Sequence, residues 1–296
     1  MKKYVHALRA PFLTGSIAPV IIGTCLAISE GKFFLIPFLV TIVGVSGLHL
    51  GANLLNDFYD ARGSDPLNIR LTPFSGGSRV IQEKQLRPTN IMTLSIAFFI
   101  LALGAAIWLV YEGKYLIIPL GLLGLLAGWS YSAPPLQLMS KGWGELAIFF
   151  AFGPLVTLGS YYVMTDAFTL TAFMIGFPQG FLITAVIWIN QFPDYEADRA
   201  AGKKNLVVKL GPGLSRYLYS VIMLMSFAFV IFLISILGQS YLIMISFISI
   251  PLAIKAMIIV FREYLDYEKL IPAQALTINT LVAQGLLLSL GLLLSR

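Results

Sequence analysis

Nine long, almost uncharged apolar segments recur along this chain, at roughly 11–29, 33–56, 91–111, 115–133, 144–164, 168–191, 216–238, 241–262 and 273–295. Each is close to the ~20 residues a helix needs to cross the hydrocarbon core of a bilayer. In lipid the backbone N–H and C=O groups have no water to bond, so a spanning segment of this kind satisfies them internally as a helix. The expected fold class is therefore all-α: a polytopic membrane protein of nine transmembrane helices, forming one membrane-embedded domain over residues 1–296. With 58% hydrophobic and only 11% charged residues, no stretch offers a second, soluble domain. Pro119, Pro154 and Pro178 fall within or near spans, where prolines are tolerated and mark kinks.

Charge sets the orientation. Nine spans put the termini on opposite sides, and a cytoplasmic N-terminus leaves only Lys32, Lys114 and Arg296 outside, out of 20 Lys and Arg residues. That is a strong positive-inside bias. The net charge of +6 is thus explained by topology, and basic residues dispersed over short loops argue against nucleic-acid binding. Cys25 is alone, so there is no disulfide framework. Lys2 and Lys3 ahead of an apolar run have the outline of a signal peptide, but an uncleaved first span followed by eight more fits better. The chain reads as an integral, multi-pass plasma-membrane protein, in contact with the lipid bilayer and with no obligate protein partner evident.

Against this apolar background, one polar motif occurs twice. Asn56-Asp57-Phe58-Tyr59-Asp60 is followed by Asp65, and Asn190-Gln191-Phe192-Pro193-Asp194 by Asp198. Both read Asn-x-Phe-x-Asp, both close an apolar span, and both open what the sequence presents as a long cytoplasmic connection, about 57–90 and 192–215. The four-span offset suggests an internal repeat with parallel halves. Of 14 acidic residues, Asp57, Asp60, Asp65, Asp194, Glu196 and Asp198 lie here. Helical spacing aligns His49, Asn53, Asn56 and Asp60 on one face, and Asn190, Asp194 and Asp198 on another, so two polar stripes are expected to line a cavity on the cytoplasmic side.

Carboxylates gathered at the mouth of a membrane bundle are costly unless they hold a cation. Mg²⁺ takes oxygen ligands and commonly binds through one or two carboxylates plus the phosphates of a substrate. Asp57, Asp60, Asp65, Asp194 and Asp198 are therefore the expected metal ligands, clamping a diphosphate, with Arg79, Arg199, Lys203 and Lys204 adding positive charge. Gly76-Gly77 offers backbone that can approach phosphate closely. If the diphosphate leaves an allylic chain, aromatic faces such as Phe58, Tyr59, Trp129, Tyr131 or Trp143 can stabilise the cation. His49 reads as an interhelical hydrogen-bond partner rather than a base.

At these residues the chain resembles the UbiA superfamily of intramembrane aromatic prenyltransferases. The resemblance rests on Asn56, Asp57, Asp60 and Asp65, on Asn190, Asp194 and Asp198, on SGGSRVIQ over 75–82, on YSAPPL over 131–136 with Gly142-Trp143-Gly144-Glu145, and on NQFPDYEADRAAGKKNLVVKLG over 190–211. The middle strings are most similar to the 1,4-dihydroxy-2-naphthoate prenyltransferases of menaquinone synthesis, the MenA branch. The resemblance implies a UbiA-type bundle and transfer of a polyprenyl group from polyprenyl diphosphate to an aromatic acid, with loss of its carboxylate and Mg²⁺ as cofactor. It makes Asp60, Asp65, Asp194 and Asp198 the catalytic set. Substrate contacts fall to His49, Asn53, Asn56, Arg79, Tyr131, Asn190, Arg199 and Lys203. The Tyr-x-x-x-Lys arrangement of some relatives is not met, since Pro135 follows Tyr131 at that offset, and Lys141 is the candidate to replace the lysine.

Two other readings remain open at this point: a prenyltransferase for a different acceptor such as 4-hydroxybenzoate or homogentisate, and an ion-coupled secondary transporter. A transporter would hold its carboxylates at the midplane, whereas these fall at helix ends. The orientation has a direct check. A cysteine introduced at Gln82 or Lys204 should react with an impermeant thiol reagent only from the cytoplasmic side, and one at Ser240 only from outside; labelling of Gln82 and Ser240 from the same side contradicts it.

Overall fold

The computed structural model describes residues 2–295. Its helices are α1 (Thr14–Ser29), α2 (Leu35–Asp60), α3 (Pro88–Tyr111), α4 (Ile117–Ser132), α5 (Gly144–Thr165), α6 (Phe177–Ala200), α7 (Leu206–Leu237), α8 (Tyr241–Glu263) and α9 (Tyr267–Leu294). Short helical turns, Lys2–Leu8 and Ala10–Leu13, lead into α1. Among the described residues, eight helical spans are long and apolar enough to cross a membrane, and the shorter α4 occupies the place of the segment at 115–133. At 16 residues α4 spans about 24 Å. It stops before Pro134-Pro135, because the residue ahead of a proline is pushed out of the α region.

The helices outrun the apolar segments at the ends that carry the motifs. α2 continues to Asp60 and α6 to Ala200, through Pro193. Hydropathy falls there because one face of each helix turns polar, while the helical backbone goes on. The connection expected over 192–215 therefore starts only after Ala200 and is partly helical. Asn205 caps the first turn of α7 by accepting from Val208 N at 2.8 Å, and non-helical Gly211, at φ 76°, breaks α7 between that turn and its long remainder. The first connection is a true strap over 61–87, with one short turn at Asp65–Leu67.

α6, α7, α8 and α9 share a core that includes Leu182, Ile189, Tyr219, Met223, Ala256 and Leu270. α1, α5, α7 and α9 share another around Ile22, Met164, Leu233 and Leu288. Outward positions such as Ile100, Leu122 and Ile236 are apolar and exposed, as lipid-facing residues are. α5 is interrupted by a π-helical turn, Ala151–Leu155, around Pro154. A Cβ on Gly153 would lie 2.6 Å from the Gly176 carbonyl and 2.7 Å from Gly180 Cα, so only glycine permits the approach of α5 to α6 at this point. The distortion brings Ala151, Phe152 and Val156 to the wall of a cavity inside the bundle.

Candidate active site

The cavity encloses about 250 Å³ at the end of the bundle where α2 and α6 finish. Both polar stripes face it: His49, Asn53, Asn56 and Asp60 from α2, and Asn190, Asp194 and Asp198 from α6. Asp65, Ser75, Gly76 and Gly77 of the strap and Lys203 and Asn205 of the α6–α7 turn complete its polar half. Val45, Leu48, Ile148, Phe152, Val156 and Ile183 make the opposite half apolar. A charged group thus fits at one end and a hydrocarbon at the other.

The two motifs meet at one ammonium. Lys203 Nζ lies 2.9 Å from Asp60 Oδ1 and 3.3 Å from Asp198 Oδ1, with all three side chains largely buried. Burial pulls the Lys203 pKa down, but Asp60 and Asp198 outweigh it, and the pKa stands above the ordinary lysine value. Each carboxylate is steadied by an amide. Asn56 Nδ2 donates to Asp60 Oδ2 at 3.0 Å, Asn68 Nδ2 to Asp194 Oδ1 at 2.6 Å, Asn205 Nδ2 to Asp198 Oδ2 at 2.8 Å, and Gln82 Nε2 to Asp65 Oδ2 at 3.0 Å. Asn190 lends its Oδ1 to Gln274 Nε2 of α9 at 3.0 Å. A Cβ on Gly77 would fall 2.7 Å from Asp65 Oδ2, so the glycine lets the strap close over this carboxylate.

Farther in, the Ser16 hydroxyl of α1 bonds His49 Nδ1, and the Phe152 ring stands edge-on to the imidazole at 5.0 Å. His49 is therefore the interhelical hydrogen-bond partner that the sequence suggested. Asn53 Nδ2 is buried, has no partner, and belongs to a residue of the cavity wall. Tyr131 also lines the cavity, packed by Gly144, where a Cβ would sit 3.0 Å from its ring.

Several expected residues stand elsewhere. Asp57 is one residue and about 100° around the helix from Asn56. It is buried outside the cavity lining, where its Oδ1 accepts from Ser78 N at 3.3 Å with Arg9 4.0 Å away. It ties the strap to α2. The Arg79 guanidinium donates to the Asp65 carbonyl, so it braces the strap from behind. Lys141 is exposed and donates to the Pro135 carbonyl at 2.8 Å, away from the lining. Arg199 is exposed on the outer side of α6 and also outside the lining. Trp129 and Trp143 are exposed, and Phe58 packs against Tyr59. Sequence reasoning missed Arg9, Phe12, Ser16, Asn68 and Asn205, all in the cavity wall. Of these, Asn205 lies within a string already singled out, while Arg9 was read as a topological charge.

The donor set suits a hard divalent cation. All the cavity-lining carboxylates offer oxygen, and Asp60 and Asp198 already flank a positive charge. Among the described residues no three His, Cys, Asp or Glu side chains form a ready-made metal-binding group. The carboxylate oxygens of the lining are the ligand type of an ion that takes one or two carboxylates and completes its shell with other oxygens, as Mg²⁺ does.

The two Asp motifs of this helical membrane bundle thus surround one half-polar, half-apolar cavity. The profile of the UbiA prenyltransferase family matches residues 16–281, and this chain belongs to that family; it is a prenyltransferase. Its sequence is similar to the 1,4-dihydroxy-2-naphthoate octaprenyltransferase of Bacillus subtilis (strain 168), 26% identical over 291 residues, covering 97% of this chain and 91% of the relative. The enzyme of that name from Escherichia coli (strain K12) is 29% identical over 301 residues, covering 99% and 96%. In fold, the chain is similar to a UbiA homolog from Archaeoglobus fulgidus solved bound to GPP and Mg²⁺, with a TM-score of 0.62, 20% identity, and 97% and 99% of the two chains covered.

The strap carboxylate gives a pH-dependent signature. Burial, and then the neighbouring charges of Asp60 and Asp57, push Asp65 up to about 7 from its ordinary 3.8. Folding thus tightens proton binding here, a stabilisation present in full below about pH 4 and lost as pH rises through about 7. In metal-free protein, Asp65→Asn should raise Tm over wild type by on the order of 5 °C at pH 8, and by much less at pH 5. Thermal unfolding in detergent with a chelator reads this difference; an equal shift at both pH values contradicts it.

Proposed function

We propose that this protein catalyses the Mg²⁺-dependent transfer of a polyprenyl group from polyprenyl diphosphate to 1,4-dihydroxy-2-naphthoate, with decarboxylation, in menaquinone synthesis. The observation that carries the reading is the Lys203 bridge between Asp60 and Asp198, which makes the two motifs one anionic site at the head of an apolar pocket. The names of the Bacillus and Escherichia relatives support the acceptor, and the GPP and Mg²⁺ of the Archaeoglobus structure support the donor and the ion. The positive-inside charge pattern supports a cytoplasmic orientation for this end of the bundle in the plasma membrane.

Asp60, Asp65, Asp194 and Asp198 would hold Mg²⁺, which when bound neutralises charge on the departing diphosphate. Lys203 is placed to contact the diphosphate oxygens from the α6–α7 turn, and Gly76 and Gly77 let the strap backbone approach them. The prenyl tail follows the apolar wall of α2, α5 and α6. His49, held by Ser16, and the unpartnered amide of Asn53 orient the acceptor through its hydroxyl and carboxylate oxygens. Tyr131, Phe12 and Phe152 offer ring faces to the allylic cation. The allylic C–O bond breaks with its electron pair leaving on diphosphate, the ring forms the new C–C bond, and the carboxylate departs as CO₂. Electron density from the two hydroxyl groups activates the ring, so the protein chiefly positions reactants and excludes water.

Membranes containing the protein, supplied with Mg²⁺, a prenyl diphosphate and a panel of aromatic acids, should yield prenylated, decarboxylated naphthoate as identified by mass. Asp60→Asn and Asp194→Asn should each lower turnover about 100-fold or more while the variants stay folded in the membrane. Near-normal turnover in both overturns the site, product that keeps its carboxylate overturns the reaction, and preference for 4-hydroxybenzoate reassigns the acceptor.

A further inference from the structure

The junction of α4 and α5, from the end of one helix to the first turn of the next, carries two of the strings that stand out in the sequence, 131–136 and Gly142-Trp143-Gly144-Glu145, yet the reaction derived above uses only Tyr131 from it. Its other conspicuous feature is that three of its oxygens accept from the α6–α7 turn and the helix ends that flank it. The Ser140 carbonyl accepts from Lys204 N at 2.8 Å, and the Lys141 carbonyl accepts from Lys209 Nζ at 2.7 Å. Glu145 Oε1 accepts from Leu206 N at 3.1 Å and from Gln191 Nε2 at 2.9 Å. The Glu145 side chain is 3% exposed, and its Oε2 is buried with no partner.

A carboxylate is an expensive group to bury, so what its bonds accomplish is informative. Leu206 N is the first N–H of the short helical turn that opens α7 ahead of Gly211, a donor that the turn itself leaves unsatisfied, and Glu145 supplies its acceptor. Gln191 belongs to the second motif and lines the cavity. Glu145 therefore pins both flanks of the turn, α6 at Gln191 and α7 at Leu206. Between these anchors lie Lys203, bridging Asp60 and Asp198, and Asn205, donating to Asp198.

We propose that Glu145 is a positioning residue: it never touches substrate, but it fixes the α6–α7 turn so that Lys203 is held ready for the diphosphate. The proposal rests on the reading of Lys203 as a diphosphate ligand. Truncation of Glu145 leaves Leu206 N and the Gln191 amide without their acceptor, and the turn loses the contact that orients it. The effect falls on diphosphate affinity and spares the acceptor, whose contacts come from α1 and α2.

The test is calorimetric titration of the purified full chain with inorganic diphosphate in Mg²⁺, alongside KM for prenyl diphosphate and for the naphthoate. Variants are Glu145→Ala, Glu145→Gln, Lys203→Ala and the double Glu145→Ala/Lys203→Ala. Glu145→Ala should weaken diphosphate about tenfold with acceptor KM unchanged, as loss of a supporting contact typically does. Glu145→Gln keeps an acceptor oxygen and should stay within about threefold of wild type. In the Lys203→Ala background, Glu145→Ala should add nothing, because residues acting through one another are not additive. Full additivity, or an equal rise in both KM values, overturns the proposal. Should Glu145→Ala fail to fold, the same cycle with Glu145→Asp, too short to reach both donors, decides. Diphosphate binding without prenyl transfer would instead defeat the reaction assignment, leaving the positioning role to be judged on affinity alone.

Discussion

Everything at the functional end of this bundle depends on one arrangement: carboxylates from two distant motifs gathered around a single buried ammonium. Asp60 ends α2, Asp198 lies near the end of α6, and Lys203 between them neutralises part of a charge that an apolar bundle cannot tolerate alone. The amides of Asn56, Asn68, Gln82 and Asn205 steady the carboxylates without neutralising them. The strap over 61–87 follows from this need. Asp57, turned away from the cavity, takes Ser78 N and holds the strap where Asp65, Gly76 and Gly77 can close the polar half.

The site is therefore incomplete by construction. Asp60, Asp65, Asp194 and Asp198 all line one small space, where like charges so close together repel one another. In the proposed function, a divalent cation arriving with a diphosphate would relieve that repulsion and use the oxygens left over. The glycine-mediated approach of α5 to α6 and the π-turn at Pro154 supply the complementary apolar wall, so that a headgroup and a hydrocarbon tail are accommodated end to end. In the proposed reaction, charge relief and tail burial are two halves of one recognition event.

Most of the fold was legible because transmembrane helices announce themselves by length and hydropathy. The two stripes, His49 to Asp60 and Asn190 to Asp198, were legible because helical periodicity is geometric, and all seven residues line the cavity. What the sequence could not separate was charge from placement. Lys141, Arg79 and Arg199 are cations near the motifs in sequence, but a carbonyl, the back of the strap and solvent hold them away from the cavity. Asp57 sits inside the motif yet faces the other way, a consequence of the 100° step between neighbouring residues. Arg9, Ser16 and Asn68 reach the cavity from segments with no motif of their own, through contacts that only the packed chain creates.

The central claim is that the two Asp motifs form one metal-dependent diphosphate site. Calorimetric titration of the purified wild-type protein with inorganic diphosphate, once in Mg²⁺ and once in chelator, tests it most directly. The arrangement of carboxylates predicts binding in Mg²⁺ that weakens at least about tenfold when the ion is removed, since the basic side chains alone face too many negative charges. Equal affinity in the two conditions would contradict it, leaving Lys203 and its basic neighbours as a metal-independent anion site.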